Sequence, residues 1–110
     1  MSNLTLGASP TLADFQSYVR SLKVIRGFAD DPKAALLGAF LELGEVGALV
    51  KRHHETRGDL TEEQRRELAF ELADALIFLL DLANQFNIDL EQAFRGKEEI
   101  NKSRQWGKFL

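Results

Sequence analysis

Two pairs of carboxylates are set into the most apolar parts of this chain. Glu42 and Glu45 are the only polar side chains in residues 34–50, where 12 of 17 residues are apolar and three are glycine. Asp74 and Asp81 interrupt the second apolar run, residues 72–83, and Glu71 stands just before it. Glu42 with Glu45, and Glu71 with Asp74, share the i, i+3 spacing that puts both members of a pair on one helical face. If the two segments pack side by side, four carboxylates converge. Loss of solvent and mutual repulsion both disfavour ionised carboxylates held together in an apolar wall, so a cation is expected among them. The chain has no cysteine, and no Glu is followed by His three residues later. That excludes thiolate zinc and the Glu-x-x-His pattern of di-iron bundles. An oxygen-only set points to Mg²⁺, with Mn²⁺ as the second choice.

A stripe of opposite sign lies near the end of the chain. Lys97, Asn101 and Arg104 fall at i, i+4 and i+7, in a stretch where residues 95–108 carry five cations against Glu98 and Glu99. Beside a carboxylate-bound metal this stripe suits phosphate oxygens. There is no GxxxxGK[ST] loop and no GxSxG elbow, so neither a P-loop nor a serine nucleophile is expected. The attacking group is expected to be water acidified by the metal, with either Glu42 or Glu45 as the candidate general base. His53 and His54 close a helix beside Lys51 and Arg52, where cations suit the C-terminal dipole.

These residues need helices to hold them. Thr11 with Asp14 fits a capping pattern, and Leu12, Phe15, Val19 and Leu22 recur at helical spacing, which predicts a first helix over 11–26. Asp31 before Pro32 opens a second over 32–54. After a break at Gly58 and Asp59, Thr61 with Gln64 opens a third over 61–86. Asp89, with Ile88 as a hydrophobic staple, opens a fourth over 89–106. No stretch sustains the period-2 alternation of a strand. The expected fold is all-α: a four-helix, bundle-like domain whose two long central helices pack antiparallel. Helices two and three are apolar on nearly every side and need neighbours all round, so an oligomer is expected. Gly38, Gly44 and Gly47 each weaken a helix by about 1 kcal/mol relative to alanine, which suggests close approach by another backbone.

With 110 residues, one domain is expected. The net charge of −3 provides no broad cationic surface for nucleic acid. The longest apolar run, residues 75–80, is too short to span a membrane, and the opening residues lack the pattern of a secretory signal. A cytoplasmic protein without nucleic-acid or membrane partners is the expectation.

The ordered set Glu42-Leu-Gly-Glu45, a gap of 25 residues, Glu71-Leu-Ala-Asp74, then Asn87-Ile-Asp-Leu90 and Lys97-x-x-x-Asn101-x-x-Arg104 resembles the MazG-like, all-α nucleoside triphosphate pyrophosphohydrolases, and in particular the short dCTP-pyrophosphatase-like members. The resemblance runs from Thr11 to Trp106. It implies that Glu42, Glu45, Glu71 and Asp74 bind Mg²⁺, that Lys97, Asn101 and Arg104 hold the triphosphate, and that Phe28 and Phe78 line a base pocket. It implies hydrolysis of a (deoxy)nucleoside triphosphate to monophosphate and pyrophosphate, a role in cleaning the nucleotide pool, and a homodimer or homotetramer. The chain departs from the pattern at Phe70, where many members carry a further acid, at Asp81, which is outside the usual signature, and at Arg52 and Val19, where some members carry base-reading tryptophan or histidine. The base and sugar are therefore left open. Phosphoribosyl-ATP pyrophosphohydrolase is the neighbouring alternative. A non-catalytic helical dimerisation or nucleotide-sensing module is the alternative from another class.

Overall fold

The computed structural model describes residues 4–54 and 59–104. Four helices make up its regular structure: α1 (Leu12–Arg26), α2 (Pro32–His53), α3 (Glu62–Gln85) and α4 (Leu90–Asn101). No strand occurs among the described residues. The Gly58 break and Trp106 lie outside them.

Each helix begins where a side chain satisfies its first orphan N–H groups. Thr11 Oγ1 accepts from the Asp14 amide at 3.1 Å while Asp14 accepts from the Thr11 amide at 2.8 Å. Thr61 and Gln64 form the same reciprocal pair on α3. Asp31 and Asp89 cap α2 and α4, and Pro32 takes the first position of α2, where a missing N–H costs nothing. The ends are as definite. Gly27 closes α1 at φ 70°, with the Phe28 amide donating back to the Lys23 carbonyl. Asn87 takes the same left-handed conformation after α3, at φ 55°, and the Ile88 amide donates to the Ala83 carbonyl.

The fourth helix is shorter than the expected 89–106. It ends at Asn101, because the chain tightens there: the Ser103 and Arg104 amides donate three residues back, to Ile100 and Asn101. The Ser103 hydroxyl also donates to the Ile100 carbonyl at 2.8 Å, competing with continuation of the helix.

Helix α3 is the hub, packing on both α2 and α1, while α4 packs on α1. Val19, Leu22 and Leu80 form the buried core, with Leu12, Phe15, Ile77 and Leu90 around it. A polar latch ties this corner. Buried Gln16 donates from Nε2 to Asn84 Oδ1 and the Ile88 carbonyl, and accepts from the Leu90 amide, so α1 holds both the end of α3 and the start of α4. Helix α2 comes close to α3 through small residues, Ala35 and Ala39, and the partners run in order: Gly38 meets Phe78, and further along Glu42 and Glu45 meet Glu71.

Within this chain α2 does not find the neighbours that its apolar faces call for. Leu37, Phe40 and Leu41 are 61–71% exposed, and Leu36, Leu43 and Val50 also stay largely in solvent. The radius of gyration is 16.5 Å, above the roughly 13 Å of a compact domain this long. The glycines divide as well. A Cβ at Gly38 would overlap the Phe78 ring, a side chain rather than the backbone expected, whereas Gly44 and Gly47 face open space.

Candidate metal and nucleotide site

The long helices place carboxylates where they cannot avoid one another. One oxygen from each of Glu42, Glu45 and Glu71 lies within 4.8 Å of the others. Glu42 and Glu71 are half-buried, and one carboxylate oxygen of each is shut off from solvent with no hydrogen-bond partner. Asp74 stands outside this trio but near enough for its charge to act on Glu45 and Glu71. Three of the four expected carboxylates are thus brought together, with the fourth beside them.

Their protonation reports the crowding. Glu45 is pushed above the ordinary carboxylate value, first by the hydrogen bond it shares with Glu71, then by the Glu71 charge, loss of solvent and Asp74. Glu71 is also raised: its hydrogen bond to Glu45 pulls it down, but the one to Glu42, loss of solvent and the charges of Glu42 and Asp74 outweigh that. Crowded like charges, with one buried oxygen each on Glu42 and Glu71 left without a donor, suit a hard divalent cation. The residues present therefore fit Mg²⁺ or Mn²⁺.

No family model matches the chain. A stretch of 62 residues is 36% identical to a dATP/dGTP diphosphohydrolase of cyanophage S-2L, a match that takes in 56% of this chain and 59% of that protein. The chain thus spans less than two thirds of the length of the curated relative it matches.

Along the same side of α3 lies a small pocket of about 150 Å³, lined by Phe28, Ala29, Ala34, Ala35, Phe78 and Asp81. The two expected aromatics therefore share a pocket. Phe28 reaches it because Gly27 turns the chain at the end of α1, and Phe78 because Gly38 leaves room for its ring.

Lys97 and Asn101 of the cationic stripe line another groove, of about 680 Å³, with Leu76, Leu79, Phe86 and Phe94, and none of the four carboxylates borders it. On α3 the groove takes Leu76, Leu79, Leu82 and Ala83, of which Leu82 shares a stripe with Phe78. Arg104 lies beyond the end of α4, exposed.

Lys23 is a polar residue of this region that the spacing of carboxylates does not single out. Its ammonium is 3.0 Å from Asp81 Oδ1 and 2.9 Å from Asp30 Oδ1, with the Lys23 and Asp81 side chains only 11% and 6% exposed. Two signals were available in the sequence. Lys23 follows the apolar stripe of the first helix, and Asp81 lies in an apolar run where a lone acid needs a partner. No helix among the described residues is long and apolar enough to cross a membrane.

Proposed function

We propose that this chain is a single-domain, Mg²⁺-dependent nucleoside triphosphate pyrophosphohydrolase. The observation that carries the reading is the convergence of Glu42, Glu45 and Glu71, with one buried oxygen each on Glu42 and Glu71 that has no donor. The similarity to a dATP/dGTP diphosphohydrolase supports it and makes those two purine triphosphates the first substrates to try. Mn²⁺ is the natural substitute ion.

In this reading α2 and α3 form an antiparallel central pair, and Glu42, Glu45, Glu71 and Asp74 hold the ion. When bound, Mg²⁺ supplies charge that polarises phosphate oxygens and acidifies water. Either Glu42 or Glu45 accepts the proton of the attacking water. The water adds across the α–β phosphoanhydride bond, giving nucleoside monophosphate and pyrophosphate. Lys97, Asn101 and Arg104 hold the phosphates and offset charge that builds on them. Phe28 and Phe78 stack on the base. Because Lys97 and Asn101 border a groove that none of Glu42, Glu45, Glu71 and Asp74 lines, the reading includes a homodimer or homotetramer in which the exposed face of α2 is covered and the two halves of the site meet across subunits. House-cleaning of the nucleotide pool is the cellular role that fits this reaction.

The test is pyrophosphate release from a panel of canonical and modified nucleoside triphosphates, with phosphoribosyl-ATP included, in Mg²⁺ and in EDTA, beside Glu71→Ala. Release that needs Mg²⁺ and disappears in the variant is expected. Selective turnover of phosphoribosyl-ATP would transfer the reading to that substrate, and no release from any compound would overturn it.

A further inference from the structure

The pocket beside the carboxylates is apolar except at one place. Of its six lining residues, two are aromatic, three are alanine and one, Asp81, is charged. A carboxylate 4% exposed needs a partner, and it has one in Lys23, whose ammonium is itself anchored by Asp30. Gln85 adds a donor at 3.3 Å. Both donors meet Oδ1. The lone pairs of Oδ2 are then the polar feature that Asp81 can offer to a ring in this pocket.

Position connects this group to the carboxylate trio. Glu71, Asp74, Phe78 and Asp81 lie on one stripe of α3, and Asp81 is seven residues beyond Asp74 and ten beyond Glu71, about 10 and 15 Å along the helix axis. Ala34 and Ala35 face the pocket on α2, Gly38 faces Phe78, and Glu42 and Glu45 face Glu71. Both helices thus carry pocket and acid cluster in the same order along their length.

We propose that Asp81 selects the base, its carboxylate accepting a hydrogen bond from the exocyclic amine of an adenine, cytosine or guanine ring lying against Phe28 and Phe78. This rests on the reading of the chain as a nucleoside triphosphate pyrophosphohydrolase and adds the substrate class. An acceptor in an apolar pocket needs a donor from the ligand. Thymine and uracil present an N–H flanked by two carbonyl oxygens, which the same carboxylate repels. A pocket built to bond an N–H discriminates strongly against an analogue without it, because its own polar group is left unpaired.

The experiment compares kcat/KM for the deoxynucleoside triphosphates of adenine, cytosine, guanine, thymine and uracil, and for a purine deoxynucleoside triphosphate lacking the 6-amino group. The wild type is expected to favour the amino-bearing bases at least tenfold over thymine and uracil, and adenine at least tenfold over unsubstituted purine. In Asp81→Asn, with helicity checked by circular dichroism, these ratios should fall to within about threefold, mainly through KM. Equal turnover of adenine and unsubstituted purine by the wild type would overturn the inference whether or not the variant folds. So would unchanged ratios in a folded variant. Calorimetric binding of deoxyadenosine and thymidine monophosphates to the wild type separates this from failure of the hydrolase reading. Tenfold tighter binding of the adenine nucleotide supports base selection even in a protein that releases no pyrophosphate, and equal or absent binding overturns it.

Discussion

Gly38 of α2 lies so close to the ring of Phe78 on α3 that a Cβ added at residue 38 would overlap it. The same Phe78 ring lines the pocket with Phe28. An alanine at an interior helix position normally gains about 1 kcal/mol over glycine, but overpacking a close contact costs about 1–3 kcal/mol. Gly38→Ala is therefore expected to lower the urea midpoint, and Phe78→Leu in the same chain should recover much of the loss. A Gly38→Ala protein more stable than wild type would contradict the packing.

Lys23 joins α1 to α3 through Asp81, and its replacement tests a buried pair. Lys23→Met keeps the apolar stem but leaves the Asp81 carboxylate without its counter-charge, a change that costs about 3 kcal/mol at such sites. Adding Asp81→Asn should restore part of that stability in urea unfolding. The pH dependence follows from the two ends of the network. Burial pulls the Lys23 ammonium down, but hydrogen bonds and charge from Asp30 and Asp81 outweigh it and hold it above 10.5. Its contribution is complete below 10.5 and is lost as pH rises through the folded value. Asp30 is held below 3.8, chiefly by its hydrogen bond from Lys23. Its contribution is present above 3.8 and is lost as pH falls through the folded value. The stability gap between wild type and Lys23→Met should be flat between these limits and narrow beyond both.

The helices were legible because each start is a local event. Thr11, Asp31, Thr61 and Asp89 satisfy amides two or three residues away, so spacing alone locates them. The end of α4 was not, since Ser103 gives no break signal of its own and acts through its bond to the Ile100 carbonyl. The acid trio was legible from i, i+3 spacing within apolar runs. The groove that Lys97 and Asn101 line was not, because a stripe on one helix does not say which face of its neighbour it meets. Lys23 with Asp81 joins residues 58 apart, and no local pattern encodes which cation finds a buried acid.

The carboxylate cluster predicts opposite effects of metal and of charge removal. Glu45 and Glu71 stand raised by their neighbours, so the metal-free protein holds repelling acids together. MgCl₂ should raise Tm relative to NaCl of equal ionic strength, because an ion that binds only the folded chain stabilises it by mass action. In EDTA, Glu71→Gln should melt above the wild type, and it should lose most of the response to MgCl₂. A wild-type Tm that ignores MgCl₂ would remove the metal from this site.

Leu37, Leu41, Gly44 and Ala48 recur along α2 at helical spacing, with Phe40 beside them, and every one of them is exposed. Large apolar side chains in a row, followed by a glycine with nothing within 4 Å of its missing Cβ, form a face suited to another helix. A second copy is the occupant that also lets the acid trio of one chain meet a Lys97 groove of another. Light scattering after size exclusion should give at least a dimer, and Leu41→Glu should shift it toward monomer with its helicity retained. Gly44→Ala separates the cases further. In an isolated chain it only improves helix propensity, by about 1 kcal/mol, and should raise Tm. Where a partner helix crosses at residue 44, the added methyl holds the two apart, and the dimer should weaken by tenfold or more on dilution. A monomeric wild type with a stabilised Gly44→Ala would leave the α2 face as a surface of the single chain.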